Sequence, residues 1–318
     1  MTFDLDAYVT EIVFDDVGPA FALGDGAVAW TDAPPTAAHD GAILCAAAHP
    51  SGDGVVTGGD DGRLVWSRRG GAQEIAVLES RWLDAVATSA VSGLIAFASG
   101  RDAYVLDVKD DAFARRFSHA ASVSALAFDP KGRRLAAATY GGAALWYARI
   151  ADQTPVMLRW AGSHIAAAFS PDGKFLISSM QEGALHGWRL SDAMDMRMGG
   201  YPSKARSLAF IAKGAWLATS GAQGVVAWPF GGSQGPMGKQ AMELGYDQTA
   251  MVTRVAGDPK TSAFCAGLDD GRVWVGDLES QAVTPVKAQK GASISALAMT
   301  TNAIAWGDEA GGAGVVAR

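Results

Sequence analysis

A single pattern of about forty residues recurs eight times along this chain of 318 residues. The four clearest copies begin at His39, His119, Trp160 and Tyr201. Four weaker copies occupy residues 5–30, 82–107, 248–277 and 291–318. The residues that precede the first turn of successive copies lie 34 to 47 positions apart. A period of this length is typical of proteins in which each repeat is one structural module.

Every copy has the same internal order of runs and turns. A first run of small and β-branched residues ends at a turn such as 129–132, where Asp and Pro suit the first two positions of a type I turn. A second run leads to a glycine-rich turn such as 60–62, and a third run closes on an aromatic residue such as Trp66. A variable fourth run follows. Short runs bounded by turn signals predict strands, and no helical period is present, so we expect an all-β fold with almost no helix.

The turns of the Asp/Ser-Pro-x-Gly kind and the Asp-Asp-Gly-Arg turns before a Trp-bearing strand resemble those of WD40 repeats. The resemblance covers essentially the whole chain and implies one β-propeller domain over residues 1–318, with about eight four-stranded blades and seven as the alternative. In the family pattern the N-terminal segment supplies the outer strand of the last blade, here from Met1 to Asp4. The expected blades are 1–38, 39–80, 81–118, 119–159, 160–200, 201–246, 247–289 and 290–318.

The chain departs from the WD40 pattern at two positions. The closing Trp-Asp pair is never intact and becomes, for example, Trp66-Ser67 or Trp146-Tyr147. The Gly-His pair is reduced to a lone histidine. We therefore expect the hydrogen-bonded His–Asp arrangement of the family to be missing, and the blades to rely on the packing of their tryptophans.

Charge and composition exclude several classes of protein. The net charge of −7 argues against direct nucleic-acid binding, which normally needs a basic face. The first sixteen residues contain no Lys or Arg, unlike a secretory signal, and no apolar run is long enough for a membrane span. Cys45 and Cys265 lie in apolar runs that are typical of buried thiols. We predict a cytoplasmic protein with no membrane partner.

No motif indicates catalysis. Gly231-x-Ser233-x-Gly235 fits the nucleophile-elbow pattern, but it lies in a glycine-rich linker instead of between a strand and a helix. Gly238-Lys239 lacks the other residues of a phosphate-binding loop. The five histidines are scattered, and no Cys-x-x-Cys pair is present. We predict no catalytic residue, no metal site and no cofactor.

Blades arranged around an axis leave loops on two rims, where recognition concentrates. The first position of successive repeats is expected on one rim, at His39, His119, Trp160, Tyr201, Gln248 and Lys290. Trp160 and Tyr201 are the main candidates for partner contact, because Trp and Tyr are enriched in binding hot spots. Trp82 extends this patch, and Lys204 and Arg206 add positive charge. The alternative for each residue is packing against the preceding blade.

We predict a non-enzymatic scaffold that binds one or more proteins, with an acidic or carboxylate-bearing peptide favoured by the two cations. The alternative is an enzyme, or a sensor of a small molecule or metal, with its site in the central channel. That alternative needs convergent charged or metal-binding side chains on the inner strands, which are instead dominated by Ala, Ser and Val. A third possibility is membership of a nucleic-acid-associated complex in which a partner supplies the charge.

Overall fold

The structure, a computed structural model, describes residues 1–318 and confirms an all-β fold. Its only helix is the three-residue 3-10 turn Ala212–Gly214, so no helix is long and apolar enough to cross a membrane. The first sixteen strands are β1 Thr2–Asp4, β2 Val9–Phe14, β3 Pro19–Leu23, β4 Ala27–Trp30, β5 Thr36–Ala37, β6 Ile43–Ala48, β7 Val55–Gly59, β8 Arg63–Arg68, β9 Gly71–Val77, β10 Ala85–Ser89, β11 Leu94–Ser99, β12 Asp102–Asp107, β13 Asp110–Ser118, β14 Val123–Phe128, β15 Arg134–Tyr147 and β16 Val156–Phe169.

The remaining fourteen strands complete repeats 5 to 8. They are β17 Phe175–Met180, β18 Ala184–Arg189, β19 Met194–Met198, β20 Leu208–Ile211, β21 Trp216–Thr219, β22 Val225–Pro229, β23 Met242–Leu244, β24 Val252–Gly257, β25 Ala263–Leu268, β26 Val273–Asp277, β27 Val283–Lys287, β28 Ile294–Met299, β29 Ala303–Asp308 and β30 Gly312–Ala317.

The strands form seven sheets, which is the alternative number that the sequence allowed. Six sheets have four strands: β2–β5, β6–β9, β10–β13, β20–β23, β24–β27, and β28–β30 with β1. The seventh sheet has six strands, β14 to β19. Within the sheets, neighbouring strands pair in an antiparallel manner and largely follow chain order. This meander of four strands is the arrangement of a propeller blade.

Repeats 4 and 5 share the six-stranded sheet, so eight repeats give seven sheets. The chain reverses inside β15, which is therefore a hairpin. Just beyond its two ends, the N–H of Ala148 donates to the carbonyl oxygen of Arg133 at 2.9 Å. The reversal lies at Gly141 and Gly142, whose φ angles of 90° and 133° suit glycine. The following strand, β16, pairs with the second half of β15 and continues into repeat 5. Residues 160–163 contain no Pro, Asn or Asp that would end the strand.

The chain divides into two compact units, which we call the 10–167 half and the 168–318 half; the latter includes residues 1–9. In each half the core lies between the sheets of consecutive repeats. In the 10–167 half, Leu94 and Phe117 of repeat 3 pack with Val123 and Leu135 of repeat 4. In the 168–318 half, a corresponding cluster joins repeats 6 and 7. Five tryptophans are buried in such clusters or close to them: Trp30, Trp146, Trp188, Trp274 and Trp306.

Side-chain hydroxyls tie the first strands of neighbouring repeats together. Thr253 donates from Oγ1 to the carbonyl oxygen of Ile294 at 2.7 Å, which joins β24 to β28. Ser295 donates in the same way to the carbonyl oxygen of Val9 at 2.6 Å, and Ser124 to that of His164. The three donors occupy equivalent positions in their repeats, so the recurring Ser or Thr in the first run has a structural use.

The N-terminal residues supply the outer strand of the sheet formed by β28–β30, as the family pattern implied. β1 pairs with β30, with Phe3 opposite Ala313. The N-terminal amine of Met1 donates to the carbonyl oxygen of Val315 at 2.8 Å, and the N–H of Val315 returns a bond at 2.9 Å. Three residues are therefore enough for this pairing.

We expect the Thr253→Val substitution to lower the free energy of unfolding by about 1 kcal/mol, because the nearly isosteric side chain removes the donor to Ile294. Urea denaturation followed by circular dichroism measures this loss. Thr284→Val is the matched control, because Thr284 is exposed on β27 and makes no such bond. Equal midpoints for the two variants would show that the hydroxyl contributes nothing.

Candidate functional site

His39 takes part in a buried hydrogen-bond network, which corrects the expectation that the His–Asp arrangement is missing. Its Nδ1 lies 3.0 Å from Oδ1 of Asp61, and its Nε2 lies 2.8 Å from Oγ1 of Thr57. Burial alone raises the pKa of Asp61, but hydrogen bonds from His39 and from the N–H of Arg63 outweigh burial and lower it. The expectation failed because Asp61 belongs to the turn between β7 and β8, so its presence does not depend on an intact Trp-Asp pair.

His119 and Trp160 occupy the same first position in repeats 4 and 5. The N–H of Trp146 donates from Nε1 to Nε2 of His119 at 3.0 Å, and Nδ1 of His119 lies 3.1 Å from the carbonyl oxygen of Arg101. Burial lowers the pKa of His119, which favours the neutral ring. Trp160 is half-buried within β16, and its carbonyl oxygen lies 3.0 Å from Nε2 of His164. Partner contact by these residues remains a prediction.

Tyr201 replaces the histidine in repeat 6. Trp228 donates from Nε1 to the Tyr201 hydroxyl at 2.6 Å, and that hydroxyl lies 2.6 Å from Oγ1 of Thr219. Thr219 in turn donates to the carbonyl oxygen of Val226 at 2.9 Å. Burial raises the pKa of Tyr201 to about 12, so the hydroxyl stays protonated near neutral pH. The Tyr201 hydroxyl therefore forms its hydrogen bonds within its own repeat, while the ring packs against the cluster around Phe175.

The segment that follows Tyr201 carries the predicted cations Lys204 and Arg206. It passes close to Gly221, where φ is 95° and an added Cβ would lie 2.9 Å from the carbonyl oxygen of Lys204. Glycine at this position lets the two backbones approach. The N–H of Arg206 donates to Oγ of Ser220 at 3.0 Å. Backbone contacts thus hold the segment in place and leave both side chains available.

Lys204 and Arg206 line a single cleft of about 230 Å³ in the 168–318 half. Residues from repeats 6, 7 and 8 form its wall: Ser203, Lys204, Arg206, Gly221, Met251, Val252, Thr253, Arg254, Asp269, Ser293, Ile294, Ser295 and Glu309. Backbone hydrogen bonds cross from repeat 6 to repeat 7 at this wall: the N–H of Gly221 donates to Val252 at 2.9 Å, and the N–H of Val252 donates to Ala222 at 2.8 Å. The cleft is therefore built from fixed backbone.

The cleft has three cationic and two anionic side chains. Lys204 and Arg206 form no ion pair, and the only side-chain partner of Lys204 is Oε1 of Gln181 at 3.1 Å. Of the acids, Asp269 accepts the N–H of Met251 at 2.9 Å, which already uses one carboxylate oxygen. Lys290 lies outside the cleft wall and pairs with Asp270 at 3.1 Å. Lys204 and Arg206 therefore offer positive charge to a ligand.

Sequence reasoning missed Arg254, which also lines the cleft. This arginine stands in β24 at a position where repeat 4 has Ala125. The sequence could have indicated this residue, because an arginine interrupts a run of otherwise small and β-branched residues. The prediction instead treated all first strands as dominated by Ala, Ser and Val.

His39, His119, Trp160 and Trp82 belong to the 10–167 half, whereas Tyr201, Lys204 and Arg206 belong to the 168–318 half. The cleft brings together only Lys204 and Arg206 among the predicted contacts. Trp82 lies in the loop between β9 and β10 and is 64% exposed. The predicted site residues therefore separate into a cationic cleft, an exposed tryptophan and four residues that take part in hydrogen bonds within the chain.

The reactive side chains of the chain are dispersed. No group of three or more His, Cys, Asp or Glu residues is placed to hold a metal ion. Burial raises the pKa of both Cys45 and Cys265 to about 12, which keeps these thiols protonated. The segment 231–235 lies in the loop between β22 and β23, as the sequence indicated. The arrangement favours recognition by charge and hydrogen bonds.

Comparisons with known proteins agree with this architecture. The family model "WD domain, G-beta repeat" matches residues 35–66. The crystal structure of the computationally designed Ika8 protein is 20% identical, covers 99% of this chain and 98% of its own, and gives a TM-score of 0.79. The β-propeller domain of Cps50 (Swd1) from Myceliophteria thermophila is 13% identical, with coverage of 86% and 95% and a TM-score of 0.67. No curated protein matches the chain.

We expect Tyr201→Phe to lower the free energy of unfolding by about 1–3 kcal/mol, because it leaves the buried Trp228 N–H without its acceptor. Chemical denaturation monitored by tryptophan fluorescence gives the value. Tyr246→Phe is the control, since Tyr246 is 58% exposed, and it should change stability by less than about 0.5 kcal/mol. If Tyr201→Phe left the free energy of unfolding unchanged, the hydroxyl would have no structural role.

Proposed function

We propose that this β-propeller, whose residues 35–66 match the WD-domain model, is a non-enzymatic platform and that the cleft at Lys204 and Arg206 holds a peptide segment of a partner protein. WD40 propellers generally mediate protein–protein interaction and are generally non-catalytic. Fold alone does not assign a function to one member, so the proposal rests on the site. Its main support is a fixed cleft in which neither Lys204 nor Arg206 forms an ion pair with a carboxylate of the chain.

The charge of the cleft favours an acidic segment. A carboxylate placed between Lys204 and Arg206 would gain two charge-assisted hydrogen bonds, which are stronger than neutral ones. The hydroxyls of Ser203 and Ser293 stand on the same wall and offer further donors. Asp269 and Glu309 would repel a segment with several adjacent acids, so the fit is best for a single carboxylate flanked by neutral residues.

The size of the cleft also favours a peptide. Its volume of about 230 Å³ is below the roughly 300–1,000 Å³ of pockets that enclose whole small-molecule ligands. One or two side chains of an extended segment would fill it, while the rest of the segment lies across the surrounding surface. Its rigid backbone frame would reduce the entropy that is lost on binding.

No finding favours the alternative of an enzyme or a small-molecule or metal sensor. The two thiols are held protonated, which makes them poor nucleophiles. A cytoplasmic location, and the contact roles of Trp160, Tyr201, His119, His39 and Trp82, remain predictions from the sequence.

The test compares affinity purifications from the native cell followed by mass spectrometry. We expect a stoichiometric partner to copurify with the wild-type chain and to be lost with Lys204→Glu/Arg206→Glu, because charge reversal would repel an acidic segment. With the purified partner, titration calorimetry should show binding at least tenfold weaker, or about 1.4 kcal/mol. The loss should shrink as salt is added, because the interaction is electrostatic.

Lys131→Glu/Arg133→Glu is the matched control. These residues have the same spacing and are exposed, and they form no ion pair. This variant should retain the partner. A partner that binds the wild type and the Lys204/Arg206 variant equally well would exclude the cleft as its site, and a copurifying metabolite or metal without any protein would favour the alternative function.

A further inference from the structure

Trp82 differs from every other tryptophan of the chain. It is 64% exposed, whereas the other nine are buried or half-buried. Its indole N–H has no partner within the chain. Tryptophan is one of the three residue types that are enriched in binding hot spots, which cluster near the centres of protein interfaces. The loop that carries Trp82 belongs to the 10–167 half and shares no residue with the cleft.

The loop of residues 78–84 is anchored at both ends. At one end the N–H of Leu78 donates to Gly62 at 2.8 Å, and at the other the N–H of Leu83 donates to Gly59 at 3.1 Å. The side chain of Leu83 is fully buried. Ser80 is held at a φ of 58°, a left-handed conformation that is uncommon for serine. A loop fixed in this way presents Trp82 to a partner at little further entropic cost.

Arg81, which precedes Trp82 in the loop, and Arg116 on β13 are exposed and share one carboxylate partner. Arg116 donates from Nη2 to Oδ2 of Asp102 at 2.7 Å, and Nη1 of Arg81 lies 3.9 Å from the same oxygen. Their side chains are 60% and 54% exposed, whereas that of Asp102 is only 10% exposed. Ser118 donates to the other oxygen of Asp102 at 2.7 Å. One buried carboxylate therefore orients two guanidinium groups whose remaining donors face solvent.

The remaining charges near the loop are unevenly placed. Arg101 precedes Asp102, is exposed and forms no ion pair. Asp84 accepts a hydrogen bond from the backbone of Gly100, and burial raises its pKa. Glu79 and Asp84 are the exposed carboxylates of the loop. The outward-facing donors of this region are thus the guanidinium groups of its arginines, with Glu79 and Asp84 as the opposing charges.

We infer that the Trp82 loop is a second docking surface, separate from the cleft, for a protein segment that has an apolar side chain beside an Asp or Glu. The apolar side chain packs on the indole ring, and the carboxylate accepts hydrogen bonds from Arg81 and Arg116. Each guanidinium presents several N–H donors in a plane that matches a carboxylate. Exposed aromatic area supplies most of the affinity, and the arginines set the choice of sequence.

The experiment uses a phage library of random twelve-residue peptides, panned on the immobilised full-length chain. Peptides that are enriched on the wild type but not on Trp82→Ala should share an apolar residue next to Asp or Glu. A synthetic peptide of that sequence, measured by fluorescence anisotropy, should bind Trp82→Ala at least tenfold more weakly. Tyr140→Ala is the matched control, because Tyr140 is 69% exposed in the same half, and it should bind as the wild type does.

Two neutralising substitutions in the loop should act in opposite directions. Arg81→Gln should weaken binding of the peptide about threefold or more, because a donor to its carboxylate is lost, and Glu79→Gln should strengthen it about twofold, because Glu79 repels an acidic segment. Lys204→Glu/Arg206→Glu should leave this peptide's binding unchanged, so the failure of one surface is distinguishable from that of the other. The proposal would be overturned if the enriched peptides were basic, or if no peptide depended on Trp82 for binding. It would also be overturned if analytical ultracentrifugation showed that the wild type self-associates and that Trp82→Ala abolishes this self-association.

Discussion

Face-to-face packing between the sheets of consecutive repeats is the interaction on which the rest of the structure depends. Each sheet is too small to bury both of its apolar faces, so it is stable only between neighbours. The contact is close because glycines stand in the second strands. A Cβ added at Gly267 would lie 2.3 Å from Ile294, and one added at Gly307 would lie 2.5 Å from Val9. The hydroxyls of Thr253 and Ser295 then bond across the same junctions. Small residues in the repeats are thus a requirement of this packing.

Much of the fold could be predicted, because repeat length, turn residues and run composition act locally. Asp129-Pro130-Lys131-Gly132 marks a strand end wherever the repeat lies, and the structure has β14 end at Phe128. The number of sheets was harder to predict, because it depends on whether hydrogen bonding continues through residues 160–163. The His39–Asp61 bond was missed for a related reason. Its acid comes from a turn, and only the folded repeat brings that turn to the histidine.

The site was predicted in part. Lys204 and Arg206 were selected because they follow an expected strand start, and the structure places both in one cleft. Tyr201 was selected for its residue type, but an aromatic residue at this position serves equally well as an internal hydrogen-bond partner or as a surface contact. Its hydrogen bonds to Trp228 and Thr219 show that it serves as an internal partner. The spacing of the repeats could not predict these bonds. Arg254 was overlooked because it interrupts a strand whose other residues are small or β-branched.

The pairing of β1 with β30 has a consequence for the order of folding. Met1 and Val315 are joined across 314 positions of sequence, the longest separation among the chain's hydrogen bonds. Closing so large a loop costs more chain entropy than pairing within one repeat, so this contact belongs late in the folding reaction. During synthesis, β1 leaves the ribosome before β30 and stays unpaired until β30 has been translated. The sheet of β28–β30 is therefore completed late, and because β1 has only three residues, the strand edge that remains unpaired until then is short.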